Sequence, residues 1–405
     1  MFGKPSRSHS EWRGLLLTLL PNMNMMKAAC LVFLSFAAGA AYAQAPALVS
    51  PEVHPDRTVT FRLSAPKASE VTFTADWTSA VQKMEKSADG VWSLTVGPMA
   101  PSTYIYSFTM DGVAIADPVN PRMKLRARGS ASLVEVPAET PSLSEARDVP
   151  HGAVELNWQK STVLNGENRA IWVYTPPGYG QEHDRRYPVL YLLHGSNDTA
   201  AGWTTVGNAN FILDNLLAGK QAVPMIIVMP FGHALPFGAR GDGGGPRGGA
   251  AQPAAAVRNN TTVFEEYLFK DVIPLVESKY RVAPGREQRA LAGMSMGAEQ
   301  SLHLFFHHLD QFSAIGAFCP SGYRALETDF PALLADPRGT NAKISVFWLG
   351  CGRQDPSHFP GSQRIDEILT AHKIDHIWHP TEGVHNYALW RDYLIDFAPR
   401  LFHSK

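Results

Sequence analysis

Arg289-Ala290-Leu291-Ala292-Gly293-Met294-Ser295-Met296-Gly297 is the stretch on which the reading of the whole chain turns. A short strand-like run enters Gly-x-Ser-x-Gly, and a helical segment at 298–308 follows at once. That order sets a serine on a sharp strand-to-helix turn, with its hydroxyl lifted above the edge of a sheet. Gly293 and Gly297 remove the side chains that would collide where strand and helix close on each other. The bare motif recurs by chance. The strand before it and the helix after it make Ser295 a nucleophile rather than an ordinary serine in a tight turn.

Working outward, continuous apolar runs recur at 187–193, 225–229, 289–292, 314–318 and 344–349, with an edge hairpin at 169–175 leading in. Helical segments such as 263–280 lie between them. Apolar runs without alternation, interleaved with helices, indicate a mostly parallel sheet buried on both faces, an α/β architecture.

A nucleophilic serine needs a base, a carboxylate to orient that base, and donors for the oxyanion. On a strand–elbow–helix of this kind they follow in the order Ser, acid, His. Asp355 is the expected acid, because the run at 344–349 leads into Gly350-Cys351-Gly352-Arg353-Gln354-Asp355-Pro356, a Gly-rich loop at a strand's carboxyl end. Asp329 and Asp336 lack a clear strand before them, and Asp366 falls in an apparent helix. His385 is the expected base: it stands in the loop Glu382-Gly383-Val384-His385-Asn386, between a short strand at 375–378 and the last helix at 387–397. His379, at the end of that strand, is its competitor. His303, His307 and His308 ride the helix after the elbow, without the flanking pattern of a metal site. His372 and His376 flank a helix-to-strand junction, and His403 lies at the terminus. The oxyanion donors are expected at the backbone N–H of Met296 and in Leu193-His194-Gly195-Ser196-Asn197, near Ser196. His194, Gly195, Trp203 and Trp390 are candidates to line the substrate pocket. No metal and no cofactor is implied.

The bulk numbers agree with a loop-rich enzyme of two domains. The 405 residues are 45% hydrophobic and 18% charged, with 33 Gly and 30 Pro. A formal net charge of −1 gives no electrostatic reason to expect nucleic acid or an anionic membrane as partner. Residues 1–43 read as an export signal: Lys27 precedes an apolar run at 28–40, Ala41-Tyr42-Ala43 offers a cleavage site, and Met26 is a candidate start. The run is too short to span a bilayer, which takes about 20 apolar residues. A secreted or periplasmic protein, free of the membrane once the signal is removed, is expected. Cys30 leaves with the signal. Cys319 and Cys351 follow apolar strands and read as buried thiols, a bridge remaining open if those strands are neighbours.

Residues 48–137 alternate in short strands (59–63, 71–74, 92–96, 104–108) and read as a small all-β, immunoglobulin-like sandwich. Residues 138–150 read as a linker, and 151–405 as the catalytic domain. Within it, residues 231–259 carry Gly241, Gly243, Gly244, Gly245, Gly248 and Gly249 and read as either a lid on the catalytic rim or a structureless insert.

Residues from about 155 to 403 resemble the esterase-D-like branch of the α/β-hydrolases, which includes carbohydrate esterase family 1 (feruloyl and acetyl-xylan esterases) and the enterochelin esterases. The resemblance rests on Tyr191-Leu192-Leu193-His194-Gly195, Phe264-Glu265-Glu266-Tyr267-Leu268 through Val272-Ile273-Pro274, the elbow, Leu349-Gly350-Cys351-Gly352 with Asp355, and Gly383, His385 and Trp390. It implies an α/β-hydrolase acting on carboxylic esters, with a carbohydrate-linked feruloyl or acetyl ester as substrate. A siderophore ester is the alternative, for which a basic pocket drawn from Arg324, Arg353 and Arg364 would speak; a non-enzymatic carbohydrate-binding protein is a third reading. Residues from about 50 to 135 resemble the early-set sandwich of family-48 carbohydrate-binding modules, through Phe61, Ala65-Pro66, Asp89-Gly90-Val91-Trp92, Tyr104-Ile105-Tyr106, Asp111-Gly112 and Asp117-Pro118. In that resemblance Trp77 and Trp92 could stack on sugar rings, core packing being the competing role for Trp92. The Gly-rich insert departs from the family pattern.

Overall fold

The computed structural model describes residues 48–235, 259–321 and 326–403. The export signal at 1–43 with Met26 and Cys30, most of the Gly-rich insert and Arg324 lie outside the described residues.

The N-terminal strands form two antiparallel sheets. One runs Glu52–Val53, Val59–Ser64, Val91–Val96, Glu85–Lys86 in spatial order; the other runs Thr78–Lys83, Val71–Ala75, Ser102–Met110, Ser130–Val136, Met123–Leu125. Alternation in the sequence sends Phe61, Phe73, Tyr106 and Phe108 inward, and their rings meet at 4.6 Å between Phe61 and Phe73 and between Phe61 and Tyr106. Trp92 belongs to this core, its Nε1–H donating to the Ala65 carbonyl at 3.0 Å, so it presents no platform for a sugar. Trp77 is half-buried against the same cluster.

The C-terminal sheet comprises β1 (Ala153–Lys160), β2 (Asn168–Thr175), β3 (Val189–Leu193), β4 (Ile226–Pro230), β5 (Arg289–Met294), β6 (Ala314–Phe318), β7 (Val346–Gly352) and β8 (Ile377–Thr381). Their spatial order among the described residues is β1-β2-β4-β3-β5-β6-β7-β8. The β1–β2 and β2–β4 pairs are antiparallel and the rest are parallel. β3, β4 and β6 are buried at every residue, as two-sided cover requires. On one face pack Asn260–Tyr267, Met296–His307 and Phe359–Ala371; on the other pack Ala209–Ala218 and Tyr387–Phe397.

Two sequence expectations change in detail. The helix expected at 263–280 opens into a π turn at Leu268–Val272 before continuing as Ile273–Lys279. Pro274 lacks an N–H and its ring would crowd the carbonyl four residues back, so the ladder is locally rebuilt there. His379 does not end its strand but sits in the middle of β8.

The sandwich shares the core of the C-terminal domain. Ile105, Ala131 and Leu133 join the apolar cluster containing Trp203, Leu213, Leu216 and Tyr393, and residues 48–405 form one compact unit.

Candidate active site

Ser295 has φ 53° and ψ −119°, a backbone conformation costing about 1–3 kcal/mol for a residue with a Cβ. The surroundings hold it there. Its N–H donates to the Phe318 carbonyl of β6 at 2.9 Å, and its own carbonyl accepts from Ala298 and Glu299 in the first turn of Met296–His307. A Cβ on Gly297 would lie 2.6 Å from the Leu193 carbonyl oxygen and 2.7 Å from that of His194. Only glycine lets the helix start this close to β3.

The N–H of Met296, the first residue of that helix, has no acceptor within the helix and can meet an incoming oxyanion. Opposite lies the loop after β3. A Cβ on buried Gly195 would stand 3.4 Å from that of Ser295, while Ser196 and Asn197 are exposed. His194 is turned inward. Gly232 N–H donates to its Nε2 at 2.8 Å, so Nδ1 carries the proton and donates to the Gly195 carbonyl at 2.8 Å. Burial holds its pKa down, which suits that neutral tautomer. His194 therefore shapes the loop and has no free nitrogen for a ligand. Trp203 is fully buried, with Nε1–H donating to the Leu193 carbonyl at 2.9 Å, and offers no surface to a substrate. Both corrections have one cause: aromatic residues beside a catalytic loop are as readily its packing as its pocket.

Asp355 follows β7 and is almost completely buried. Its Oδ2 lies 2.6 Å from His385 Nδ1. Its Oδ1 accepts from the N–H groups of Ser357 (3.2 Å) and His358 (3.1 Å) and from His358 Nδ1 at 3.0 Å. Burial alone would raise this carboxyl, but the hydrogen bonds and charge of His358 and His385 outweigh it and hold the group well below the usual carboxylate range. At His385, burial pushes the imidazole below its ordinary value and His358 adds repulsion, against the pull of Asp355. The loops are laced together as Arg353 N–H donates to the Thr381 carbonyl (2.8 Å) and Gln354 N–H to that of Gly383 (3.1 Å). Trp390 meets the His385 ring edge-on at 4.8 Å. The Asp355–His385 pair thus stands at the carboxyl ends of β7 and β8, on the same edge as the elbow after β5.

Cys319 and Cys351 end neighbouring strands as buried free thiols, their sulfurs and an Asp355 oxygen all within 4.8 Å of one another. His358, three residues beyond Asp355, is not among the candidates that the sequence suggests, although that spacing was its available signal. A second omission lies between the domains. Lys124, from the sandwich strand Met123–Leu125, places Nζ 2.7 Å from Asp198 Oδ1. Tyr387 donates to Asp198 Oδ2 at 2.6 Å. Asp198 is on the loop that carries Ser196, so the sandwich holds that loop from outside.

A family model described as "Putative esterase" matches residues 161–401, more than half of the chain. The chain belongs to this esterase family. A relative named endo-1,4-beta-xylanase/feruloyl esterase, from Xylanibacter ruminicola, is 28% identical over 363 residues, covering 87% of this chain. The chain spans 46% of that relative's length. Among solved structures, a ferulic acid esterase from Anaeromyces mucronatus in complex with ferulic acid is 24% identical with a TM-score of 0.53, covering 65% of this chain and 96% of its own. Enterochelin esterase from Shigella flexneri is 17% identical with a TM-score of 0.61, covering 87% of this chain and 95% of its own. At these identities the structural likeness speaks for the fold, an α/β-hydrolase-type catalytic domain.

Proposed function

We propose that this esterase is a secreted or periplasmic serine carboxylic-ester hydrolase that releases feruloyl or acetyl groups from carbohydrate-linked esters. The observation that carries it is the 2.6 Å contact between Asp355 and His385 on the sheet edge that also bears the strained Ser295. Ser295 Oγ attacks the ester carbonyl while His385 Nε2 takes its proton, and Asp355 fixes the ring with Nδ1 protonated. Negative charge on the former carbonyl oxygen meets the N–H of Met296 and a second N–H at Gly195–Ser196. Loss of one such donor costs roughly 2.7–4 kcal/mol of transition-state stabilisation. His385 then returns the proton to the leaving alcohol, and water, activated by the same imidazole, frees the acid and Ser295.

The aromatic-ester reading leans on the name of the Xylanibacter ruminicola relative, which matches this chain across both of its domains. A second reading, hydrolysis of a siderophore ester, has its own support: the likeness to enterochelin esterase covers 87% of the chain, more than residues 153 onward can supply. The sandwich serves in either case as a brace for the catalytic loops, through Lys124 and through Arg391, whose guanidinium reaches the Thr103 carbonyl at 3.2 Å and that of Val206 at 2.8 Å. Export rests on the signal-like sequence at 26–43. No helix among the described residues is long and apolar enough to cross a membrane.

Turnover of p-nitrophenyl acetate, methyl ferulate and a catecholate siderophore by wild type and Ser295→Ala tests this. Ser295-dependent release of ferulate supports the first reading, and release from the siderophore alone the second. No Ser295-dependent turnover of any of the three would leave a carbohydrate-binding protein without catalysis.

A further inference from the structure

We propose that His358 is a positioning residue for the reaction, clamping the plane of His385 and sharing its carboxylate. The proposal rests on the reading of Ser295, His385 and Asp355 as the reacting group. His358 and His385 approach Asp355 in the same way, each through Nδ1, on opposite oxygens at 3.0 Å and 2.6 Å. An ionised carboxylate only accepts, so both rings present Nδ1–H and leave Nε2 as the basic edge. The shared acceptor brings the rings face to face, 3.8 Å between centroids and 11° from parallel.

An imidazole held by one hydrogen bond can still swing about the Nδ1–oxygen axis. Swinging carries Nε2 away from the serine, and misplacement on the scale of 1 Å can cost about 100-fold in rate. The His358 face on one side and the Trp390 edge at 4.8 Å remove that freedom. His358 is itself fixed, since its own N–H also binds Asp355 and it opens the helix Phe359–Ala371 as its N-cap residue.

The arrangement also shapes the charge of the step. When His385 takes the Ser295 proton, the one negative charge of Asp355 serves one imidazolium, and a second positive ring at 3.8 Å would repel it. Asp355 and, from the last helix, Trp390 face the pair, and the thiols of Cys319 and Cys351 lie beside the Asp355 carboxylate. The presence of His358 therefore disfavours idle protonation of the base.

Three variants separate the elements of this role: His358→Phe keeps a flat ring without the hydrogen bond, His358→Asn keeps a donor without the stack, and His358→Ala keeps neither. With p-nitrophenyl acetate, His358→Ala is expected to lose about 10- to 100-fold in kcat with KM changed less than about twofold. Partial rescue is expected in Phe and Asn. The acid limb of kcat/KM should move to higher pH in all three variants, because each removes the repulsion on the base. Thermal unfolding of the volume-conserving Phe variant confirms that a folded enzyme is being compared. If all three variants keep wild-type kcat and an unmoved acid limb while Ser295→Ala and His385→Ala are inactive, the positioning role is wrong and the triad stands. Full activity in Ser295→Ala or His385→Ala would instead overturn the triad itself.

Discussion

Asp355 gathers two backbone N–H groups and two imidazole Nδ1 atoms onto one buried carboxylate, and it thereby decides how its neighbours titrate. In the proposed mechanism the base must be neutral to accept the Ser295 proton, and His385 has its pKa pressed down by burial and by His358. kcat/KM should rise with pH through an apparent value below about 6.5, the ordinary histidine figure, and be flat above it. A pH profile checks this; a limb well above that figure contradicts the buried, repelled imidazole. For stability the sign at Asp355 is that of a depressed carboxyl. Its contribution is complete above the unfolded value of about 3.9 and disappears as pH falls through the lower folded value. The proposed triad of Ser295, Asp355 and His385 could be put forward from the sequence because each residue stands just beyond a strand. His358 had only its spacing of three from Asp355 as a local signal, since a stack on a residue 27 positions away leaves none.

The elbow shows how elements constrain a site. β3, β5 and the helix Met296–His307 converge so tightly that Gly297 has two backbone oxygens where a Cβ would go. Backbone does not yield as a flexible side chain does, so Gly297→Ala is expected to destabilise the fold by about 1–3 kcal/mol or more and to lower kcat by shifting Met296. Urea unfolding alongside steady-state kinetics measures both, and a variant with wild-type stability would contradict the close approach. Strands β3 to β7 were legible because a strand buried on both faces needs apolar side chains at every position. Ser130–Val136 did not stand out as a strand: its alternation is diluted by small residues, and Ala131 and Leu133 face the catalytic domain instead of solvent. The π turn at Leu268–Val272 reflects a conflict between helical pattern and Pro274 that pattern alone does not resolve.

Across the whole molecule, the sandwich and catalytic domain are joined by an ion pair away from water, with Lys124 and Asp198 both nearly fully buried. A lysine in an alternating strand reads from sequence as a solvated residue; only the partner from the other domain reveals its role. Removing one member of a buried pair strands the other's charge, so Lys124→Met should cost about 3–5 kcal/mol and lower kcat through the loop bearing Ser196. Asp198→Asn in the same chain should return part of the stability, as a denaturation cycle of the two single variants and the double would show. Additive losses would mean that the pair does not couple the domains. The central claim, that Ser295 is the nucleophile activated by His385 and Asp355, is tested most directly by fluorophosphonate labelling followed by intact mass and peptide mapping. One adduct is expected, on Ser295, absent in Ser295→Ala and formed far more slowly in His385→Ala and Asp355→Asn; an adduct on another residue, or labelling of Ser295 at an undiminished rate without His385, would contradict it.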